Sequence, residues 1–356
     1  MNRIKAGVPR RAGRRVLALG LPTVWGAIAI TYKMVCPLAQ QNGWEARIVT
    51  SAVFFAVGTG LIFHVRQALL RELRQVRRVA GAAQSVLLRP LPPRIDGLHV
   101  AAAQLSADRG AVIGGDLYEV IATEHGVRAV MGDVRGHGLA AIGTVAAVLG
   151  SFREAVHDEP DLGGVLRRLD RALARHLRER AGSVPDSPIG EEFITVLLLE
   201  IDPDGEVHAL NCGHPWPYRI SGTHVEPLAR ADPLPPLGLF PLPPDLPAVR
   251  CGQLLPEDVL FLYTDGAEDA RDAHGRFFPL ATVLTEAVCN GVTNPQSILG
   301  AVFTQLLRHT GGRTVDDVAL LVLRNDRTHV HCSLPSGARG TARPAPTYRQ
   351  PTNNLQ

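Results

Sequence analysis

The chain has 356 residues, with 37 Lys+Arg against 34 Asp+Glu and a net charge of +3. So close a balance gives no general affinity for nucleic acid, and the length leaves room for one large domain with additions. The five cysteines (Cys36, Cys212, Cys251, Cys289, Cys332) are scattered, odd in number and without C-x-x-C spacing, which argues against a disulfide framework or a zinc site and fits a reducing compartment.

Residues 1–15 hold six basic side chains and no acidic one, and Val16 to Tyr32 is then uncharged and mostly apolar. Ile48 to Val65 is a second such run, and both are at the short end of the ~17–25 residues that span a bilayer. Between them only Lys33, Glu45 and Arg47 are charged; beyond them come Arg66, Arg71, Arg74, Arg77 and Arg78 against a single Glu72. Arginine excess on both outer flanks predicts a two-helix transmembrane hairpin over 1–65, with both ends inside and the rest of the chain in the cytoplasm. A cleaved signal peptide is the rival reading of the first run, and buried core helices the rival of both.

From Arg66 to about Leu88 the pattern is helical. Leu69, Leu73, Val76, Ala80, Ala83 and Leu87 alternate at four- and three-residue steps, an a/d seam able to pair two chains as a homodimer or to pack on the chain's own domain. Arg89-Pro90-Leu91-Pro92-Pro93 ends this linker, since proline cannot continue a helix. Residues 66–93 therefore read as linker, 94–325 as the main domain, and 326–356, rich in Pro, Arg, Ser and Thr, as a disordered tail.

In the main domain, His99 to Leu105 reads as a first strand. Glu119 to Met131 then reads as a β-hairpin turning at Glu124-His125-Gly126, where glycine supplies a positive φ. With a two-residue loop Asp116 faces Asp133; a three-residue loop with a bulge shifts the pairing by about one residue. Either way two carboxylates come within roughly 5 Å at a mouth lined by Gly114, Gly115 and Gly132, where their repulsion raises a pKa unless a cation offsets it. All-oxygen ligands suit Mg²⁺ or Mn²⁺, whereas the plain alternative is a hairpin with polar ends.

Leu139 to Val156 and Leu162 to Leu177 read as helices, and Phe193 to Ile201 and Val207 to Asn211 as strands around the turn Asp202-Pro203-Asp204-Gly205. Asn211-Cys212-Gly213-His214-Pro215 follows, then a proline-rich loop from Pro227 to Pro247. Val259 to Tyr263 is an apolar strand ending in Thr264-Asp265-Gly266. Helices over 279–288 and 295–309 precede Asp316-Asp317, which opens the apolar strand 318–323. The fold class is α+β, and four acidic positions each stand at the mouth of a hydrophobic strand.

The ordered motifs GGDLYEV, MGDVRGHGLAA, FITVLLLEID, LNCGHPWPY, LYTDGAEDARD and DDVALLVLR resemble the PPM-type metal-dependent serine/threonine phosphatases, in their SpoIIE-like branch, over about Ile95 to Arg324. The resemblance implies a four-layer α/β/β/α sandwich of two antiparallel sheets flanked by helices. It also implies two Mn²⁺ or Mg²⁺ ions held by Asp116, Asp133, Asp265 and Asp316 with the Val134 carbonyl, and attack by a metal-activated water. Asp317 would orient its neighbour or a water. His137 is an acid, a phosphate contact or a structural group; His214 sits in a motif of structural glycine and proline. Arg135 stands where the family more often has a small residue, and either binds substrate phosphate or faces solvent. The implied substrate is a phosphorylated regulatory protein of the anti-sigma-factor-antagonist type.

Three other readings compete. Gly114-Gly115-Asp116 is shared with the GGDEF signature of diguanylate cyclases, but Leu117-Tyr118 replaces Glu-Phe. A phosphodiesterase site would bring paired histidine ligands, and none is paired here. A catalytically silent membrane adaptor would normally lack one of the metal aspartates, and all four positions are filled.

Overall fold

The computed structural model describes residues 24–28, 30–32, 35, 44–105, 114–136, 139–181, 192–312, 314 and 316–327; within these, 45–47, 50, 72–86 and 139 are described by their backbone alone. The first element described along its whole length is a long helix, α1 (Trp44–Leu87), followed by β1 (Arg94–Ile95), β2 (Leu98–Leu105), β3 (Asp116–Thr123) and β4 (Gly126–Val134). Helices α2 (Leu139–Asp158) and α3 (Leu162–Ala181) lead to β5 (Ile194–Ile201), β6 (Glu206–Cys212), β7 (Tyr218–Ser221), β8 (His224–Pro227), β9 (Val249–Gln253) and β10 (Val259–Tyr263). Helices α4 (Leu280–Cys289) and α5 (Pro295–His309) precede the last strand, β11 (Val318–Asn325).

The strands form two antiparallel sheets, ordered β1-β2-β11-β10-β7-β8 and β3-β4-β5-β6-β9. Alternation along each strand sends successive side chains to opposite faces, so one run of apolar residues feeds two cores. In β4, Val130 and Val134 pack with α2 and α3, while Ala129 and Met131 face the other sheet. In β11, Leu321 and Leu323 face inward between the sheets, and Leu320 and Val322 face α4 and α5. Three cores separate four layers, the expected sandwich. Each fully buried Leu, Val or Phe side chain contributes about 1.5–3 kcal/mol, so the sheets are stiff supports for whatever their ends carry.

The helices follow from their patterns. In α3, Leu162, Val165, Leu166, Leu169 and Leu173 are buried at helical spacing, and the Asp161 carboxylate caps the start by accepting from Gly164 N–H at 2.7 Å. Helix α5 begins at Pro295, with Asn294 accepting from Gln296 N–H.

Four short strands, β1, β7, β8 and β9, were not legible as period-two runs. The proline-rich stretch is a loop, as expected, yet it is built into the fold. Leu237 exchanges both backbone hydrogen bonds with Ile194, and Leu237 and Leu246 are buried. At the C-terminal side the ordered chain continues past the expected boundary at 325: Asp326 N–H donates to the Gly97 carbonyl, and Arg327 bonds to Asp96. The remainder of the expected disordered tail lies outside the described residues.

Helix α1 joins the expected second apolar run and the linker into one rod. Among the described residues one helix, Ser51–Arg71, is long and apolar enough to cross a membrane, where the sequence reading has two. Most of the first run, 16–32, lies outside the described residues; its residues 24–28 and 30–32 are helical, and Trp25 and Tyr32 pack on Phe54 with ring centroids 5.3 and 5.6 Å apart. The seam positions Leu73, Val76, Ala80 and Ala83 are helical in backbone, and their side chains lie outside the described residues. At its far end α1 is fastened to the domain: Arg153 on α2 donates to the Leu87 carbonyl at 2.6 Å and pairs with Glu119 on β3. A cation is well placed there, at a helix C-terminus.

Arg128 on β4 is fully buried, and its guanidinium holds the α2–α3 corner together. It donates to Glu200 at 2.6 Å and to the carbonyls of Val156, Glu159 and Pro160 at 2.9, 2.6 and 3.0 Å. Removing it leaves the half-buried Glu200 and three carbonyls without this donor, the Val156 carbonyl in a fully buried contact. Arg128→Met should therefore cost about 3–5 kcal/mol, the scale for breaking a buried, hydrogen-bonded pair. Chemical denaturation of wild type and variant checks this, and an unchanged midpoint would refute it.

Candidate functional site

Strand alternation puts the acidic residues between the sheets. Asp116 shares the parity of Val120 on β3, and Asp133 that of Met131 on β4; both Val120 and Met131 lie in the middle core. On the opposing sheet Thr264 continues the parity of Leu260 and Leu262 from β10, and Asp317 precedes Ala319 and Leu321 of β11 on the same face. The site is thus the polar end of the core between the two sheets.

The hairpin turns through a two-residue loop: Thr123 pairs with Gly126 and Asp116 pairs directly with Asp133. Gly126 has φ +108°, the left-handed backbone the turn needs. Thr195 of β5 stands across from Asp133 on its other side. Asp265 opens a short 3₁₀ turn, Asp265–Ala267, after β10, and Asp316 and Asp317 immediately precede β11.

Three glycines let these backbones close in. A Cβ on Gly115 would come within 2.7 Å of Asp133 Oδ1 and nearer still to the Val134 carbonyl oxygen. One on Gly114 would meet Asp317 Oδ2 at 2.7 Å, and one on Gly266 would strike the Asp317 carbonyl. At Gly115 and Gly266 the obstacle is fixed backbone, so the motifs require glycine there for space.

Asp116 is buried, Asp133 and Asp317 are partly so, and Asp265 and Asp316 are exposed at the rim. Asp116 is pushed well above the usual carboxylate range by burial, then by the charges of Asp133, Asp317 and Asp265. Burial, with Asp265, Asp316 and Asp317, raises Asp133 to about 7, against a hydrogen bond from Asp116 that favours its charged form. Asp265 is raised too, by burial and by Asp316 and Asp269. Asp116, Asp133 and Asp265 thus share one cluster with the charges of Asp316 and Asp317, and Asp317 acts on it as fully as Asp316. They are not preset as ligands: among the described residues no three His, Cys, Asp or Glu side chains stand in metal-holding arrangement. The donor set nonetheless fits a hard cation, because it is all oxygen, mutually repelling and open at the rim.

The other candidates separate clearly. His137 lies outside the described residues. His214 is fully buried, with Nδ1 3.0 Å from Thr195 Oγ1, and burial holds it down to about 3. Burial thus favours its neutral form. Asn211 bonds both the N–H and the carbonyl of His214, which explains the Asn-Cys-Gly-His spacing. Arg135 is exposed; its N–H donates to the Phe193 carbonyl and its guanidinium lies 5.1 Å from the Phe193 ring centroid. Burial pushes Cys212 up to about 12 and Cys251 up to about 11, so neither is a ready nucleophile. Sequence reasoning passed over Thr264, whose hydroxyl donates to Asp116 Oδ2 at 3.2 Å. Its signal was a lone polar residue in the inward phase of an apolar strand.

A family model described as Stage II sporulation protein E (SpoIIE) matches residues 123–326. Among solved structures, the PP2C domain of SiaA from Pseudomonas aeruginosa is 18% identical, with a TM-score of 0.58 over 72% of this chain and 98% of that one. The RsbU and RsbW domains of a Mycobacterium tuberculosis protein are 23% identical, with a TM-score of 0.51 over 64% of this chain. The PP2C phosphatase domain of Bacillus subtilis SpoIIE, with a fragment of its regulatory domain, is 18% identical, with a TM-score of 0.50 over 64% of this chain. The match spans 60% of the Mycobacterium structure and 63% of the Bacillus one. These likenesses show the fold.

The repulsion at the site has a measurable sign. Asp133 ordinarily titrates near ~4 but here near about 7, so across that window the folded chain holds a proton that the unfolded chain has lost. Metal-free protein should therefore lose stability as pH rises from about 4 to about 7 and recover it on acidification. Asp133→Asn should raise the melting temperature of metal-free protein at pH 8 and flatten this dependence. Thermal melts across pH in chelator check both, and a variant less stable than wild type at pH 8 would refute the account.

Proposed function

The chain belongs to the SpoIIE family, whose domain is of the PPM serine/threonine phosphatase type, and from that premise we propose that it is a membrane-anchored, metal-dependent protein phosphatase. The observation that carries the reading is the convergence of Asp116, Asp133, Asp265, Asp316 and Asp317 at one end of the core between the sheets. Asp116, Asp133, Asp265 and Asp316, with the Val134 carbonyl, would hold two Mn²⁺ or Mg²⁺ ions, and Asp317 would orient its neighbours. When bound, the cations supply positive charge that lowers the pKa of water toward neutrality and offsets charge on the transferring phosphoryl oxygens.

The protein's own part is placement. Gly115 keeps the Val134 carbonyl uncovered, since a side chain there would lie against that oxygen. The buried Asp116 and the half-buried Asp133 form the floor, and the exposed Asp265 and Asp316 form a rim open to a phosphorylated side chain. The raised Cys212 and Cys251 thiols and the neutral His214 speak against a covalent intermediate or proton relay through those groups.

The substrate class we assign is phosphoserine or phosphothreonine on a small regulatory protein of the anti-sigma-factor-antagonist type. The Mycobacterium structure, which contains both an RsbU and an RsbW domain, supports a regulatory setting of this kind. Residues 1–65 act as a two-helix membrane anchor, 66–93 as a linker able to pair two chains, and 94–325 as the phosphatase domain. The anchor is supported by apolar side chains of α1 left facing outward, Phe55 77% and Phe63 61% exposed, and by Trp25 and Tyr32 packed on Phe54.

Asp133→Asn or Asp265→Asn should lower turnover of a phosphoserine protein on the order of 100-fold or more, the scale for losing electrostatic stabilisation of a transition state. EDTA should do the same to wild type and Mn²⁺ restore it; full turnover in EDTA would overturn the mechanism. For topology, a reporter active only in the cytoplasm should be on when fused after Arg324 and off near Gln41. The opposite pattern would reverse the orientation.

A further inference from the structure

Thr264 links the two halves of the site through a single hydroxyl. It is fully buried between β10 and the Asp265–Ala267 turn, and every polar atom it has is engaged. Its N–H donates to the Ala319 carbonyl at 3.1 Å, and its own carbonyl accepts from Ala267 N–H at 3.0 Å. The hydroxyl accepts from Ala319 N–H at 2.9 Å and lies 3.2 Å from Asp116 Oδ2.

A hydroxyl carries one proton. With Ala319 N–H donating to Thr264 Oγ1, the hydroxyl proton goes to Asp116, which must accept it on Oδ2. That bond crosses from the sheet of β10 and β11 to the sheet of β3, whereas Asp116 and Asp133 are joined within their own sheet by the hairpin. Thr264 directly precedes Asp265, and Ala319 lies two residues after Asp317. One side chain therefore locks the rotation of the Asp116 carboxylate to the strand ends that present Asp265, Asp316 and Asp317.

We propose that Thr264 is a positioning residue of the carboxylate site: its hydroxyl sets Asp116 relative to the opposite sheet, and so sets the site's affinity for divalent cations. This rests on the reading of the carboxylates as the cation site. Groups that orient metal ligands typically change affinity by about 10–100-fold when removed. Serine keeps the hydroxyl, and valine keeps the shape without it, leaving Ala319 N–H and Asp116 Oδ2 unpaired.

The test is calorimetric titration of Mn²⁺ alone into the full-length protein in detergent, for wild type, Thr264→Val and Thr264→Ser, each shown to be folded by its thermal melt. The expected result is Mn²⁺ binding about 10–100-fold weaker in Thr264→Val and largely restored in Thr264→Ser. A purely structural threonine would lower the melting temperature of Thr264→Val and leave the Mn²⁺ affinity of the folded protein unchanged, and that result overturns the proposal. Equal weakening in Thr264→Ser also overturns it. If Thr264→Val does not fold, Thr264→Ala against Thr264→Ser makes the same comparison. Absence of Mn²⁺ binding in wild type overturns the cation site itself, a failure distinct from that of the threonine.

Discussion

Repulsion among carboxylates at the end of a nonpolar core is the constraint on which the other features turn. Burying an unpaired carboxylate costs several kcal/mol, and a chain free to relax would move Asp116 and Asp133 apart. They stay together because they are direct cross-strand partners in a hairpin whose other residues are packed on both faces. Asp265, Asp316 and Asp317 come from the second sheet, held opposite by the core between them. The apolar layers thus keep charges where electrostatics alone would not leave them. The same repulsion that raises Asp133 to about 7 is one that a divalent cation would offset.

Close approach is the second requirement, and it explains why the motifs are rich in glycine. Gly115 and Gly266 lie where any side chain would collide with the Val134 or Asp317 carbonyl, and Gly114 lies against the Asp317 side chain. Thr264 performs a complementary task, occupying the gap between the sheets with a hydroxyl where an apolar residue would leave Asp116 without a donor. Arg128 and Arg153 work farther out, each using a guanidinium to satisfy backbone carbonyls at a helix end while pairing with a strand carboxylate. Arg153 is also where the long helix meets the domain, through the Leu87 carbonyl, and its carboxylate partner Glu119 lies three residues from Asp116 on the same strand.

Much of this was legible in the sequence. Alternating and continuous apolar runs marked β2, β3, β4, β5, β6, β10 and β11, and helical spacing marked α2 to α5, because a buried strand or helix face must repeat with the period of its backbone. The pairing of Asp116 with Asp133 followed from a hairpin only two or three loop residues long. The ordered motifs carried the family. Burial periodicity is a local property, so sequence alone determined the longer elements, their type and the acidic residues at their ends.

Only the tertiary structure decided the rest, because it depends on which faces meet. The short strands β7, β8 and β9 lack a period long enough to read and owe their place to sheet neighbours. Asp317 joined the cluster because strand parity aims it between the sheets, and His214 proved a buried neutral group once Asn211 and Thr195 closed around it. Thr264 looked like an ordinary residue at the end of an apolar strand. Its partner Asp116 is 148 positions away, and no local pattern records a hydrogen bond made by folding two sheets face to face.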